Sequence, residues 1–280
     1  MAPAPFGPWV SALFVSLLAV SPTFARPQTN QVTSSDPQAL ALAVKSVEVL
    51  TGGEPIADVT LTGTAACTAG SDIETGTVTL KALGTASSLI DFSGSEGNRV
   101  EVRNSSGGIP QGSWVGTDGV SHPMASSNCV TDAVWFFPAL SVLSEVSTAN
   151  SNLVATYAGQ ESLNGETVDH VSFWQVFPTG SGSAGTLALL QHLSTVDVYL
   201  DATSLLPVEL DFNIHPDDNA GADIPVEIQY GDYQRLGGVL VPTQVRKFIN
   251  HTLFLNLKLT EAAVNTNLSP ADFDVTTAGQ

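Results

Sequence analysis

The sequence predicts a mainly β protein of the α+β class. The expected architecture is a strongly curved antiparallel sheet, an open half-barrel of about ten to twelve strands covered by two or three helices. From residue 58 onward, apolar and polar residues alternate with a period of two through most of the chain. Such strands have one dry and one wet face, as antiparallel sheets allow. Apolar residues at helical spacing occur in only two segments, which predicts the helices that cover the dry face.

The first of these segments lies just before the strands. Asp36 caps the free amides of a helix start, and Pro37 fits the first turn. Leu40, Val44 and Val47 form one apolar stripe, and the pair Gly52-Gly53 ends it. The sequence therefore predicts a helix over residues 37–51.

The strands follow, and their alternation predicts which side chains face water. Val100 and Val102 alternate with Arg99, Glu101 and Arg103, so we expect the valines on the dry face. The clearest alternation comes later, in residues 208–214, 224–230 and 253–259. In the first of these, Glu209 and Asp211 lie on the wet face, as solubilising acids would.

The second helical segment spans residues 126–147. Residues 132–137 and 139–146 carry apolar side chains at helical spacing, with Pro138 between them. The segment is too apolar to face water on all sides, so we expect the sheet to cover it. Residues 178–186 are rich in glycine and serine and predict a mobile loop.

The N-terminus has the form of an export signal. The apolar run Trp9–Val20 is too short to span a bilayer, and Ala25 and Thr23 supply small residues before a cleavage site. No basic residue precedes the run, which departs from the usual pattern. We expect an exported protein, periplasmic or extracellular, without a transmembrane segment in its mature chain. The predicted segments are a signal peptide over 1–25, a flexible lead-in over 26–35, a single domain over 36–276 and a tail over 277–280.

Composition excludes several classes of partner. Of the 280 residues, 43% are hydrophobic and only 13% are charged, which argues against a disordered chain. The 27 acidic and 9 basic residues give a net charge of −18, which repels nucleic acids and anionic bilayers. No phosphate-binding loop, nucleophile elbow or zinc-protease motif occurs, so no cofactor is expected.

Cys67 and Cys129 are the only cysteines. In an oxidising compartment, an even pair without CxxC spacing indicates a disulfide, which would stabilise by about 4 kcal/mol through loop closure. The alternative is two buried free thiols.

Polar clusters offer weak candidate sites. Asp217, Asn219 and Asp223 resemble part of a calcium loop, but Gly221 is one position early and Ile228 stands where a glutamate should. A solvated acidic loop is the default interpretation. His122, near Asp118, and His215 are the candidate histidines for a hydrolase.

Three motifs in the last third of the chain resemble a known family. They are Asp201 to Pro207 in one hairpin, Tyr230 to Pro242 in the next, and Val264-Asn265 followed by Asp272-Phe273. Over residues 199–275 this succession is similar to the outer-membrane lipoprotein-sorting proteins and their LolA/LolB-like relatives. The resemblance implies a curved half-barrel covered by helices, with an acyl-chain cavity. The chain departs from the family in its length and its cysteine pair, and the family's polar gating residue has no counterpart here.

These observations favour an exported, monomeric, non-enzymatic carrier of an apolar ligand such as a lipid or lipoprotein acyl chain. The helical cover would shift to admit the ligand. One alternative is an envelope protein with a filled half-barrel that acts through its acidic surface. A second is a hydrolase that uses His122 or His215. A cavity above about 300 Å³ would separate the carrier from the filled half-barrel. The expected lining residues are Trp135, Phe136, Leu140, Leu143, Phe212 and Leu255.

Overall fold

A computed structural model describes residues 34–105, 109–146, 152–176 and 182–274. All of them belong to one unit, Val32–Gln280. The predicted signal peptide over 1–25, most of the lead-in and the tail over 277–280 lie outside the described residues.

The described residues form a single antiparallel sheet of thirteen strands, so the mainly β prediction is confirmed. The predicted ten to twelve strands are too few, because the shortest strand has three residues and shows no alternation. In sheet order the strands run β6, β5, β4, β3, β2, β1, β13, β12, β11, β10, β9, β8, β7. Their bounds are β1 Asp58–Ala69, β2 Asp72–Leu83, β3 Ser87–Gly94, β4 Gly97–Asn104, β5 Gln111–Val115, β6 Ser121–Pro123, β7 Leu153–Leu163, β8 Glu166–Gln175, β9 Val196–Asp201, β10 Pro207–Ile214, β11 Ile224–Leu236, β12 Val239–Ile249 and β13 Thr252–Val264.

The sheet curves around the segment between β6 and β7. Arg103 on β4 donates to the carbonyl of Asn128 at 3.1 Å. Gln175 on β8 donates to the carbonyl of Val130 at 3.5 Å. Because β4 and β8 lie near opposite ends of the sheet, the sheet must bend to reach both. We call the face toward this segment the inner face.

The helix α1, Pro37–Thr51, confirms the predicted helix over 37–51. The Asp36 carboxylate accepts from the amide of Gln38 at 2.7 Å, and Gly52 ends the helix in the left-handed conformation at φ 69°. The helix packs on β7 and β12 and buries Ala39, Ala43 and Leu50 against the inner face.

The predicted helices over 132–137 and 139–146 are mostly wrong. Only α2, Ser126–Cys129, and α3, Val142–Glu145, are helical, and the residues between them form turns. The amides of Phe137 and Leu140 bond three residues back, at 3.0 Å each, as in turns. Pro138 between them has no amide to donate to a helix. The prediction that the sheet covers this segment is confirmed, since Val134, Phe136, Phe137 and Leu143 are fully buried.

A fourth helix, α4 Ala184–Leu193, begins where the sequence predicted a mobile loop over 178–186. Ser183 caps it by accepting from the amide of Thr186 at 3.2 Å. Its periodicity was not visible because only Leu193 is buried. No helix in the described ranges is long and apolar enough to cross a bilayer.

The last element of the described residues is a 3-10 helix, Pro270–Phe273, that packs on β3 and β4. The residues before it are fastened to the start of β1 by Asp58, whose carboxylate accepts from the amides of Thr266, Asn267 and Leu268 at 2.7 to 3.3 Å. Asn265 adopts a left-handed conformation at φ 54° and bonds to the backbone of Pro55 and Ala57. The closing motif of the family resemblance is therefore a structural clasp.

Candidate functional site

A cavity of about 520 Å³ lies on the inner face at the β1–β5 end of the sheet. Val78 and Phe92 form part of its wall, and Trp135 contributes from the segment that the sheet encloses. Trp114 and Phe254 also line the cavity and are 45% and 42% exposed, which places them at its opening. The arrangement combines apolar walls with access from solvent.

Charged side chains also line this cavity, contrary to the sequence-based expectation. Arg99 pairs across strands with Phe92, and Glu101 with Ile90, so β4 turns its charged residues inward. The alternation along β4 was predicted correctly, but the prediction that its valines, and not its charged residues, face inward was wrong. Arg103 on the same face is buried and donates to Glu101 at 3.0 Å, while Arg99 pairs with Glu74.

Lys247 on β12 supplies a further positive charge to the cavity. Its Nζ lies 4.7 Å from the centroid of the Trp135 ring, within cation–π range. Burial lowers the pKa of Lys247 to about 8, although Glu101 opposes the shift. Burial would by itself raise the pKa of Glu101, but Arg103 and Lys247 outweigh it and the pKa is lowered. The cavity therefore offers an apolar chamber with charged groups in its wall.

The six predicted lining residues all belong to the hydrophobic core, but they do not line one cavity. Trp135 and Leu255 line the cavity of about 520 Å³. Phe212 lines a separate cavity of about 300 Å³. Phe136, Leu140 and Leu143 are packed into the hydrophobic core.

The predicted disulfide is not confirmed, since Cys67 and Cys129 are free thiols in the structure. Cys67 lies within β1, paired with Glu74 and Leu255, and lines the cavity of about 520 Å³. Cys129 ends α2 and lines another cavity of about 240 Å³. Burial raises the pKa of both thiols, so both are weak nucleophiles at neutral pH.

The histidines and acidic residues singled out in the sequence do not gather in one site. His122 stacks on Trp114, with ring centroids 4.2 Å apart, and lies 3.8 Å from Asp118. The Asn219 side chain accepts from the amide of Gly221. Asp223 instead contacts His192 and His215, so the predicted set with Asp217 and Asn219 does not form one site.

Acidic residues form a row on the outer face of the sheet. Asp197, Asp211 and Glu227 stand directly opposite one another on β9, β10 and β11. The neighbouring Glu209 was predicted to be a solubilising acid, yet it is only 6% exposed. Burial, assisted by the like charges of neighbouring acids, raises the pKa of Glu209 and of Asp211 to about 7. Keeping every carboxylate of this row ionised therefore costs folding free energy.

We expect the variant Asp211→Asn to be more stable than the wild type at pH 8. Because the folded pKa is raised, the folded protein binds more protons than the unfolded chain between about pH 4 and pH 7. The free energy of unfolding of the wild type falls through that window and levels off above it. One pKa unit corresponds to about 1.4 kcal/mol, and the coupled acids share the shift, so the gain should be ~1–2 kcal/mol.

Urea unfolding at pH 5 and pH 8 measures this difference. The gain in unfolding free energy of Asp211→Asn over the wild type should be smaller at pH 5, where the wild-type acid regains its proton. Asp72→Asn, at an exposed acid, is the matched control. An equal gain for Asp211→Asn at both pH values would show that the acid row does not carry the effect.

The open antiparallel sheet, bent around a helix and an apolar segment and with a cavity on its inner face, has the architecture that the resemblance to LolA-like proteins implies. Comparison with solved structures confirms this fold for the chain. A DUF1329 family protein from Desulfovibrio piger superposes with a TM-score of 0.54 at 11% identity, covering 88% of this chain and 100% of the other. No known family model matches the sequence, and no curated protein matches it.

Two further structures are similar to a comparable degree. A putative outer membrane lipoprotein-sorting protein domain from Vibrio parahaemolyticus gives a TM-score of 0.53 at 14% identity, covering 85% of this chain and 96% of the other. A LolA superfamily protein from Nitrosomonas europaea gives 0.51 at 11% identity, with 84% and 97% covered. At these identities the likeness establishes the fold. It agrees with the resemblance carried by residues 199–275.

Proposed function

We propose that this protein is a non-enzymatic carrier that binds an apolar ligand, an acyl chain of a lipid or lipoprotein, after export to the periplasm or the cell exterior. The observation that carries the proposal is the open cavity of about 520 Å³ on the inner face. Its volume lies within the range of ligand sites and above the 300 Å³ that separates a carrier from a filled half-barrel. The fold shared with a lipoprotein-sorting domain supports the same function.

The cavity wall defines the chemistry of the ligand. Each methylene group buried against Phe92, Val78 and Trp135 contributes about 0.8 kcal/mol. Arg99 and Glu101 pair with Glu74 and Arg103, whereas the structure gives Lys247 no carboxylate within 4 Å among the described residues. An anionic head group placed at Lys247 would complete a charge pair there. We therefore propose an amphiphile with an apolar chain and an anionic head.

The two alternative functions, a filled half-barrel and a hydrolase, explain fewer of the structural observations. Phe136, Phe137 and Leu143 fill much of the enclosed space, but they leave the β1–β5 end open. Within the described residues, His170 lies between Glu161 and Asp197, and the buried His215 contacts Asp223, the His192 ring and the backbone. These histidine environments suit ion pairing and give a hydrolase no support.

Native mass spectrometry of the protein exported by its own host, followed by solvent extraction, tests the proposal directly. We expect a co-purifying lipid. Cys67 provides a second readout, because its thiol lines the cavity. In a Cys129→Ser variant, saturating fatty acid should slow maleimide labelling of Cys67 by at least about tenfold.

The matched control is Cys67→Ser, in which the remaining thiol, Cys129, lines a different cavity and should label at an unchanged rate. The variant Lys247→Met should weaken binding of a fatty acid by about tenfold, close to 1.4 kcal/mol, and leave binding of the matching fatty alcohol unchanged. An empty protein whose Cys67 labels equally fast with and without fatty acid would overturn the carrier function.

A further inference from the structure

Two histidines and an aspartate meet at one end of the sheet, away from the large cavity. His192 lies in the last turn of α4, His215 directly follows β10, and Asp223 directly precedes β11. His192 Nε2 lies 2.8 Å from Asp223 Oδ1, and His215 Nδ1 lies 3.5 Å from the same oxygen. One nitrogen or oxygen of each residue lies within 4.8 Å of the other two.

The His215 imidazole is held in place before any ligand arrives. Its side chain is fully buried, and its backbone amide and carbonyl both bond to the Asn128 side chain at 2.8 Å. Nδ1 lies 3.2 Å from the carbonyl of Ala222, while Nε2 has no hydrogen-bond partner among the described residues. Nδ1, which lies 3.5 Å from Asp223 Oδ1, is therefore the nitrogen that faces the cluster.

We propose that His192, His215 and Asp223 form a binding site for a divalent transition-metal ion of the zinc class. Imidazole nitrogen and carboxylate oxygen are ordinary zinc ligands, at 2.0–2.2 Å, and such atoms around a tetrahedral ion are about 3.4 Å apart. The two separations from Asp223 Oδ1, 2.8 Å and 3.5 Å, lie on either side of this value, and all three ligand atoms lie within 4.8 Å of one another. Two imidazoles favour such an ion over calcium, which selects oxygen ligands.

The surroundings favour both entry of the ion and a structural role for it. His192 and Asp223 are partly exposed, which leaves a coordination position for water. The neighbouring cavity of about 300 Å³ is lined by His192, Asp197, Asp211 and Glu227, and these carboxylates attract cations. Because Leu193 is the single buried residue of α4, an ion on His192 would fasten this helix to the β10–β11 loop.

Calorimetric titration of the exported full-length chain with Zn²⁺, after chelator treatment and without a polyhistidine tag, tests the site. We expect one ion per chain. The variants His192→Ala and Asp223→Asn should each weaken binding by at least about tenfold, since each removes a ligand. Both residues are partly exposed, so these variants should fold, and circular dichroism would verify it.

Asp217→Asn is the matched control, because it removes an acid from the same loop but outside the cluster. It should bind Zn²⁺ like the wild type. Co²⁺ titration should produce a visible absorption band that both ligand variants lose. The proposal is overturned if the wild type binds no Zn²⁺ at micromolar concentrations, or if both ligand variants retain wild-type affinity. Calcium binding that Asp217→Asn abolishes would equally overturn it, in favour of an oxygen-ligand loop.

Discussion

Replacing Ile90 by tryptophan should abolish acyl-chain binding while leaving the sheet folded. Ile90 lines the large cavity from β3 and is only partly buried, so the indole ring can extend into open space. It would occupy the volume that the ligand needs, next to the Trp135 side chain. We expect the affinity for a fluorescent fatty acid to fall by at least about 100-fold, equivalent to about 2.7 kcal/mol.

The matched control is Ile73→Trp on β2, where the native side chain is 69% exposed and lies outside the cavity. This variant adds the same ring and should bind fatty acid like the wild type. Thermal unfolding followed by circular dichroism establishes that both variants fold. A folded Ile90→Trp protein with wild-type affinity would show that the ligand, if any, binds elsewhere.

The alternation along β4 illustrates what the sequence could predict and what it could not. A period of two identifies a strand and separates its residues into two sets, but it does not say which set faces inward. On β4 both faces are covered, the inner by the cavity and the outer by the 3-10 helix. Val102 is consequently buried on the outer side. The prediction had placed the more apolar set, Val100 and Val102, on the inner face.

The composition of the cavity was unpredictable for a related reason. Lys247 and Glu101 are adjacent in the folded site but far apart in the sequence, and only the strand order brings β4 and β12 to one chamber. One signal was present in the sequence. Lys247 shares its parity with the buried Val241 and Val245 on β12, and a cation in line with buried valines indicates a charged side chain on the inner face.

The calcium-like set and the disulfide were both predicted from the sequence without knowing which segments meet in the fold. Asp223 was singled out with Asp217 because the two are close in the chain, whereas its partners come from α4 and the end of β10. Cys67 and Cys129 were paired because they are the only two thiols, yet the fold places them in different cavities. Local spacing predicts turns and helix ends well, and it does not predict which loops meet.

The second large effect is expected at Asp58, where the variant Asp58→Ala should lose about 3 kcal/mol of unfolding free energy. Its carboxylate is only 2% exposed and accepts from the amides of Thr266, Asn267 and Leu268, and from the Thr266 hydroxyl at 2.9 Å. Removing the acceptor leaves these amide donors unpaired in a poorly hydrated site, which costs far more than one exposed hydrogen bond.

Urea unfolding of Asp58→Ala beside Asp72→Ala measures this difference. Asp72 begins the next strand at the other end of the same hairpin, but it is exposed, so its loss should change stability by less than about 0.5 kcal/mol. If the two variants were equally stable, the segment after β13 would be held by other contacts. A selective loss in Asp58→Ala would instead show that the clasp fastens the chain end, and with it the 3-10 helix that covers the outer side of β4 behind the cavity.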